Sequence, residues 1–243
     1  MRIFLAGATG VIGRRLVHLL RPDGYDVFGT TRSDAKAGAL RLVGATPVVV
    51  DVYDAPALMR AVQAAMPDIV IHQLTDLPQV DDPARMEASR AANARLRIDG
   101  TRNLVAAAKA AGAKRIIAQS IAFVYAAGEG ARVETDPLAM QPDGTPGTSL
   151  RGVIALEQQV VGAPGIDGIV LRYGRLYGPG TWSETGPSGP GSLHVDAAAY
   201  AARLAVTCGA PGIYNIAEDD GAVAIDKARH ELGFDPQFRT DAR

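Results

Sequence analysis

The chain has one cysteine among its 243 residues, Cys208, so neither an intramolecular disulfide nor a thiolate-rich zinc site can form. A reducing, cytoplasmic setting is expected. The four histidines, His18, His72, His194 and His230, are far apart without ligand spacing, and no metal site is expected. An excess of charge is also missing. With 25 Lys plus Arg against 26 Asp plus Glu, the chain lacks the concentrated positive field that nucleic acid or an anionic membrane surface requires. No stretch approaches the ~20 apolar residues of a membrane span, and Met1 to Gly7 is too short in apolar residues for a secretory signal. A soluble protein is expected. There is no internal repeat, no Gly-x-Ser-x-Gly turn of serine hydrolases, and no linker long enough to separate independent domains. Lysine is scarce as well: Lys36, Lys109, Lys114 and Lys227 are the only four, with none between 115 and 226.

What remains is an ordinary globular composition, 47% apolar and 21% charged, in a chain long enough to bury a sizeable core. Ile3 to Ala6, Tyr25 to Thr30, Thr46 to Val50, Ile69 to His72 and Arg115 to Gln119 are short apolar runs bounded by Gly, Pro or Asp and read as strands. Helical patterns lie between them, among them Val11 to Leu20 and one long Ala-rich helix over about Ala88 to Ala111. This alternation predicts parallel strands with right-handed crossovers, an α/β doubly wound (Rossmann-like) parallel sheet. From 121 to 148 the composition is that of a loop, with Gly128, Gly130, Pro137, Pro142, Gly144 and Pro146. A helix from Leu150 to Val161 and a strand from Ile166 to Arg172 follow. Tyr177 to Ser192 is too rich in Gly, Pro and Ser for a regular element. A helix from Asp196, N-capped by that aspartate, a strand at Gly212 to Ile216 and a helix at about Ile225 to Leu232 close the chain. We divide it into a dinucleotide-binding domain at 1–173 and a reduced substrate-binding portion at 174–243, with strand 212–216 open to joining the main sheet.

The sharpest motif is Gly7-Ala8-Thr9-Gly10-Val11-Ile12-Gly13, between the first strand and the first helix. Gly7 permits the tight turn, Gly10 lets the backbone approach a pyrophosphate, and Gly13 lets helix and strand pack closely, while the helix N-terminus offers N–H groups to phosphate. Gly7, Thr9, Gly10, Val11, Ile12 and Gly13 are therefore candidate cofactor-binding residues. A site preferring NAD(H) needs an acidic side chain near the end of the second strand, ~20 residues beyond the turn. Here Thr31, Arg32 and Ser33 stand there. A guanidinium and a hydroxyl bind a 2′-phosphate that a carboxylate would repel, so NADP(H) is favoured over NAD(H), with Arg32 and Ser33 as its residues.

With these residues the sequence resembles the extended short-chain dehydrogenase/reductases, the NAD(P)-dependent epimerase/dehydratase family. The resemblance also rests on Asp51-Val52, Val70 to Leu74, Gly100 to Leu104, Ser120 to Tyr125, Leu171-Arg172 to Tyr177-Gly-Pro-Gly, His194-Val-Asp196 and Lys227 to Gly233. It implies that Asp51 and Val52 contact adenine, that Leu74 and Thr75 lie beside the phosphates and ribose, and that Tyr173 lies next to the nicotinamide. It also implies a homodimer through the long fourth helix and the helix from Leu150. The parts that form the substrate side in relatives are shortened here, which points to a small-molecule substrate smaller or flatter than a nucleotide sugar, or to a site completed by another subunit.

The same resemblance locates the family's chemistry, a Ser or Thr four residues before the tyrosine of Val-Tyr and a Tyr-x-x-x-Lys pair whose lysine lowers the tyrosine pKa. An unperturbed phenol near pKa ~10 is a poor base at neutral pH, so the cation matters. Those positions are Ile121, Ser149 and Val153, and none of the seven tyrosines is followed by a lysine four residues on. The remaining catalytic candidates are Ser120, Ser149, Tyr125 and Arg151. Gln73, Asp76, Arg175 and Tyr177 are candidate substrate-binding residues, Arg175 as a fixed charge for an anionic substrate. Two functions fit: an NADP(H)-dependent oxidoreductase or epimerase with a non-standard proton donor, and a non-enzymatic NADP(H)-binding redox sensor or regulatory protein.

Overall fold

A computed structural model of the chain describes residues 1–78, 83–139 and 144–240; Pro142, in the stretch read as loop, lies outside them. The elements are β1 (Arg2–Ala6), α1 (Val11–Leu20), β2 (Asp26–Thr31), α2 (Asp34–Leu42), β3 (Thr46–Val49), α3 (Ala55–Ala65), β4 (Ile69–His72), α4 (Pro83–Arg95), α5 (Thr101–Ala110), β5 (Arg115–Ile121), α6 (Gly144–Val161), β6 (Asp167–Tyr173), β7 (Arg175–Tyr177), β8 (Ser192–His194), α7 (Val195–Leu204), β9 (Gly212–Ile216) and α8 (Asp226–Leu232). Seven strands form one sheet in the order β3-β2-β1-β4-β5-β6-β9, and every pairing is parallel. Such a sheet is covered on both faces, which is why its central strands are continuous apolar runs. Ile3, Leu5, Ile71, Ile117 and Leu171 face one core with Leu16, Leu20 and Ala198. Phe4, Val70, Ile116 and Val170 face the other with Leu104, Leu156 and Val160. Strand order reverses at β1, between β2 and β4, so a crevice opens at the strands' carboxyl ends.

Three elements differ from the sequence reading. The long helix over Ala88 to Ala111 is interrupted: a π-turn at Leu96–Gly100 separates α4 from α5. The bulge brings Leu96 into the crevice wall and packs Gly100 against Val52, where a Cβ would lie 3.3 Å from Val52 Cγ1. Helix α6 starts at Gly144 rather than Leu150, because a proline in the first turn gives up only an N–H that has no intrahelical acceptor. Helix α7 is capped by His194 and not by Asp196: the imidazole Nδ1 accepts the Asp196 N–H at 3.2 Å.

That leaves the Asp196 carboxylate free to hold three segments together. It accepts from Arg15 Nε of α1 at 2.6 Å and from Thr240 Oγ1 at 2.7 Å. Burial alone would raise its pKa, but these hydrogen bonds hold it below the usual carboxylate value. The C-terminal portion is thus fastened to α1, and β9 runs parallel to β6 at the sheet edge. The stretch 178–191 is irregular, flanked by the short parallel pair β7 and β8.

The glycine turn is held by backbone proximity. A Cβ on Gly13 would lie 2.1 Å from Gly7 O, a clash that only movement of the turn could relieve. Gly38, on the exposed side of α2, has nothing within 4 Å of its Cβ position. In denaturant unfolding, Gly13→Ala should lose about 3 kcal/mol or more, whereas Gly38→Ala should gain about 0.5–1 kcal/mol from helix propensity.

Candidate functional site

The crevice over β1, β2 and β4 is a groove of about 160 Å³ lined by Gly7, Thr9, Gly10, Thr31, Arg32, Asp51, Val52, Gln73, Leu74, Thr75 and Asp76. Gly7 has φ +91°, and its N–H donates to Thr30 Oγ1 at 3.1 Å. Gly10 caps α1 with no side-chain hydrogen bond, so the first-turn N–H groups of Val11 and Ile12 are left for an anion. At the far end of the groove, Gln73 Nε2 donates to the Tyr173 hydroxyl at 3.2 Å. Gln73 is 6% exposed, yet its Oε1 has no partner among the described residues. A buried acceptor without a donor is costly, and here it stands on the wall of a groove. A dinucleotide, with phosphates on the α1 N-terminus and a donor-bearing end at Gln73, fits these residues. Burial pushes the Tyr173 phenol well above its ordinary pKa, so it stays protonated.

Just after β3, Asp51 Oδ1 accepts the Tyr53 N–H at 2.9 Å. Thr31 Oγ1 accepts the Ser33 N–H at 3.1 Å. Arg32 is exposed on the groove wall and makes no hydrogen bond or ion pair with the described residues. Asp76 is placed by helix α4, its N–H donating to Asn93 Oδ1 at 2.9 Å. Gln73 and Asp76, read from sequence as substrate residues, thus line the same groove as the cofactor candidates.

The structure separates the catalytic candidates. The Ser120 hydroxyl donates to Glu157 Oε1 at 2.7 Å. Glu157 also binds Arg172 through both oxygens, at 2.9 and 2.7 Å. Arg172 Nη1 donates to the Tyr125 hydroxyl at 2.7 Å, and that hydroxyl donates to Asn215 Oδ1 at 2.6 Å. Burial foremost raises the Tyr125 pKa, against the lowering influence of Arg172. Burial works against the charge on Arg172, but Glu157 outweighs it and holds the guanidinium firmly protonated. Neither Ser120 nor Tyr125 therefore has a proton free for a substrate. Arg151 points to solvent and donates to Thr148 Oγ1 at 2.9 Å. Ser149 is half-buried with no partner among the described residues, but a lone serine hydroxyl is a poor acid. Tyr177 donates to Glu218 and accepts from Arg239 Nη2 at 2.9 Å, so its hydroxyl is tied to the C-terminal segment.

The other two changed positions meet. Ile121 and Val153 pack with Val124, Leu150, Leu138 and Ile154 into a small apolar cluster, and Val153 is fully buried. An apolar plug occupies the place where the resemblance puts a hydroxyl and an ammonium. Sequence reading missed Arg97. It sits in the π-turn with no hydrogen bond to the described residues, and burial lowers its pKa against the attraction of Glu157.

A second cavity, of about 310 Å³, shares no lining residue with the groove. Ala122, whose N–H donates to Tyr173 O at 2.8 Å, lines it together with Phe123, Arg132 and Arg175. Among the described residues no cluster of three metal-ligating side chains occurs, and no helix is long and apolar enough to cross a membrane.

Against known proteins, residues 3–193 match the family model described as the NAD dependent epimerase/dehydratase family. A 3-diazoavenalumate denitrifying reductase from Streptomyces sp is 41% identical over 95% of this chain and 80% of its own length. Among solved structures, a UDP-glucose 4-epimerase from Thermotoga maritima superposes with a TM-score of 0.79 at 20% identity, over 98% of this chain and 94% of that one. The Bordetella bronchiseptica enzyme WbmG in complex with NAD gives 0.73 at 20% identity, over 99% of this chain and 90% of that one.

His72 ends β4 below the groove. It is fully buried, with Nδ1 accepting the Leu74 N–H and Nε2 facing Thr101 Oγ1, both at 3.2 Å. Burial, with Arg97 adding repulsion, lowers its pKa to about 4. The unfolded chain then takes up this proton near pH ~6.5 and the folded one only near 4. Stability from this residue is complete above pH ~6.5 and falls by about 3 kcal/mol as pH drops to 4. Urea unfolding across that range should show this fall in the wild type beyond that of His72→Gln.

Proposed function

Because the chain belongs to the NAD dependent epimerase/dehydratase family, we propose from its altered site that it is an NADP(H)-dependent reductase whose electrophile needs no proton from the protein, specifically an arenediazonium ion. The carrying observation is the fate of the catalytic positions, of which the acid's own holds Ser149, whose hydroxyl is a poor proton donor. Ile121 and Val153 are in an apolar cluster, and the hydroxyls of Ser120 and Tyr125 are spent on Glu157 and Asn215. Reduction of a ketone consumes a hydride and a proton, and its developing alkoxide needs a donor. A diazonium differs on both counts.

The bound dinucleotide supplies a hydride. The substrate's terminal nitrogen accepts it to form R–N=N–H, breaking one N–N π bond and cancelling the positive charge. N2 then leaves as the N–H hydrogen passes to carbon, giving R–H, so no external proton enters. The resemblance to a denitrifying reductase of a diazo compound supports this class. Only arene-conjugated diazonium ions last long enough in water to be bound. The chain's own contribution is positioning: Gln73 and Tyr173 orient the reacting end, and the Ile121–Val153 cluster excludes water.

NADP(H) is the proposed cofactor form, supported by the unpaired Arg32 on the groove wall and by Thr31 in place of a carboxylate. Arg32→Ala should weaken NADPH binding about tenfold or more while leaving NADH within about twofold; fluorescence titration reads both.

With benzenediazonium the protein should oxidise NADPH and release equimolar N2 and benzene. Its rate should be flat from pH ~6 to 8 and insensitive to D2O, with a primary isotope effect from NADPH deuterated at C4, as expected when no titrating acid enters the step. Turnover of ketones with a bell-shaped pH profile, and none of the diazonium, would overturn the proposal.

A further inference from the structure

We infer that Arg175 and Phe123 form the carboxylate-binding end of an arene slot, so that the substrate is an aromatic carboxylic acid held with its carboxylate on Arg175 and its reacting end towards Tyr173. The identity of the reacting group rests on the function proposed above; the carboxylate subsite stands on its own geometry. The cavity of about 310 Å³ is floored by small residues, Ala122, Ala126, Ala127, Gly191 and Ala222. Those residues leave a broad surface on which a planar ring can lie. Phe123, at the mouth, is 49% exposed, unusual for a side chain of that size beside a buried strand end. The Arg175 guanidinium lies over its ring, 4.9 Å from the centroid.

The charge balance of this region singles out Arg175. Arg132, on the same wall, is held by the carbonyls of Glu129 and Gly130 and lies 3.7 Å from Asp136. Arg172 has Glu157 at 2.7 Å, and Arg239 has Glu218 at 3.6 Å. Arg175 has no carboxylate within ion-pair distance among the described residues. Its side chain makes one hydrogen bond to the described residues, a long one from Nη1 to Pro190 O at 3.3 Å, which leaves other N–H groups of the fork undirected. A guanidinium over an aromatic ring, with unpaired donors on the lining of a cavity, suits the bidentate geometry of a carboxylate.

Position along the chain gives the orientation. Arg175 begins β7, two residues beyond Tyr173, and Ala122, on the cavity lining, is bonded through its N–H to Tyr173 O. Under the proposed function, a molecule anchored on Arg175 has its reacting end on the Ala122 side of the cavity, the side bonded to the Tyr173 backbone. The reverse orientation would bring a diazonium cation against a guanidinium. One charge thus selects both the substrate class and its direction.

Calorimetric titration of the NADPH-loaded protein with cinnamate and with uncharged cinnamamide tests the subsite without any turnover. Cinnamate should bind the wild type at least about tenfold more tightly than cinnamamide, as expected for a charge-assisted hydrogen-bonded pair. Arg175→Gln should remove that advantage, leave cinnamamide unchanged and keep the wild-type affinity for NADPH, which reports an intact fold. Equal binding of the two ligands by the wild type, or an undiminished cinnamate preference in Arg175→Gln, would overturn the inference. A kinetic arm separates it from the reaction class. With 3-carboxybenzenediazonium, Arg175→Gln should raise KM about tenfold or more and leave KM for benzenediazonium within about twofold. Cinnamate binding that depends on Arg175, with no turnover of either diazonium, would retain the carboxylate subsite and reject the reaction class instead.

Discussion

Arg172 is the constraint that much of the site answers to. It is permanently charged and only 3% exposed, and an unpaired charge at such depth would cost several kcal/mol. Glu157 of α6 supplies both carboxylate oxygens, which fixes α6 against β6. The remaining guanidinium donors then dictate the loop after β5, because Nη1 reaches the Tyr125 hydroxyl and Glu134 O. Tyr125, having accepted, donates onward to Asn215 of β9. Asn215 in turn takes the Glu134 carboxylate on its N–H and gives its amide hydrogens to Arg132 O and Ala224 O. One buried cation thereby positions a helix, the loop after β5 and the last strand of the sheet.

The satisfaction of that cation also decides what chemistry is left. Every donor drawn into the network is one that cannot act on a substrate, and Ser120 and Tyr125 are two of the hydroxyls that the sequence offers in place of the missing pair. The groove on the other side of β5 is the converse case. There Gln73 keeps an acceptor buried and unanswered, and Gly10 leaves the α1 N-terminus uncapped by a side chain. Polar groups on the groove are thus left without partners, while the hydroxyls of Ser120 and Tyr125 are paired within the fold.

The parts of this that the sequence made legible are those with a local cause. Parallel strands buried on both faces must be continuous apolar runs, and a Gly-x-x-Gly-x-x-Gly turn must be glycine where a Cβ would meet Gly7 O. The loss of the Tyr-x-x-x-Lys pair is likewise a matter of spacing. The rest depends on meetings across the fold. Ile121 and Val153 are 32 residues apart, and their assembly into one apolar cluster is visible only when β5 and α6 are packed. The pairing of Arg172 with Glu157 carries no spacing signal, so Ser120 and Tyr125 looked available. Asp196 looked like a helix cap because aspartate commonly is one. Its carboxylate was drawn instead to Arg15 and Thr240, and a histidine took the cap. The π-turn escaped notice because an Ala-rich segment has helix propensity throughout, and a bulge of one residue leaves no mark on composition.

The replacement of the lysine by Val153 has a consequence in charge as well as in acid–base chemistry. In the proposed reaction the positive charge begins on the substrate and ends on the nicotinamide, so no negative charge develops for an ammonium or an oxyanion hole to stabilise. A fixed cation beside the electrophile would oppose its binding. At about 4 Å and an effective dielectric of about 20, two like unit charges repel by about 4 kcal/mol, near a thousandfold in affinity. Valine removes that repulsion and leaves an apolar wall, which costs an arenediazonium ring nothing to touch. Arg175, on this reading, keeps a cation in the site but moves it to the far end of the slot, where it attracts the carboxylate and repels the diazonium from the wrong orientation. On this reading the apolar residues at 121 and 153 both withhold the donors that carbonyl reduction uses and lower the cost of binding a cationic electrophile, and the two effects need not have separate causes.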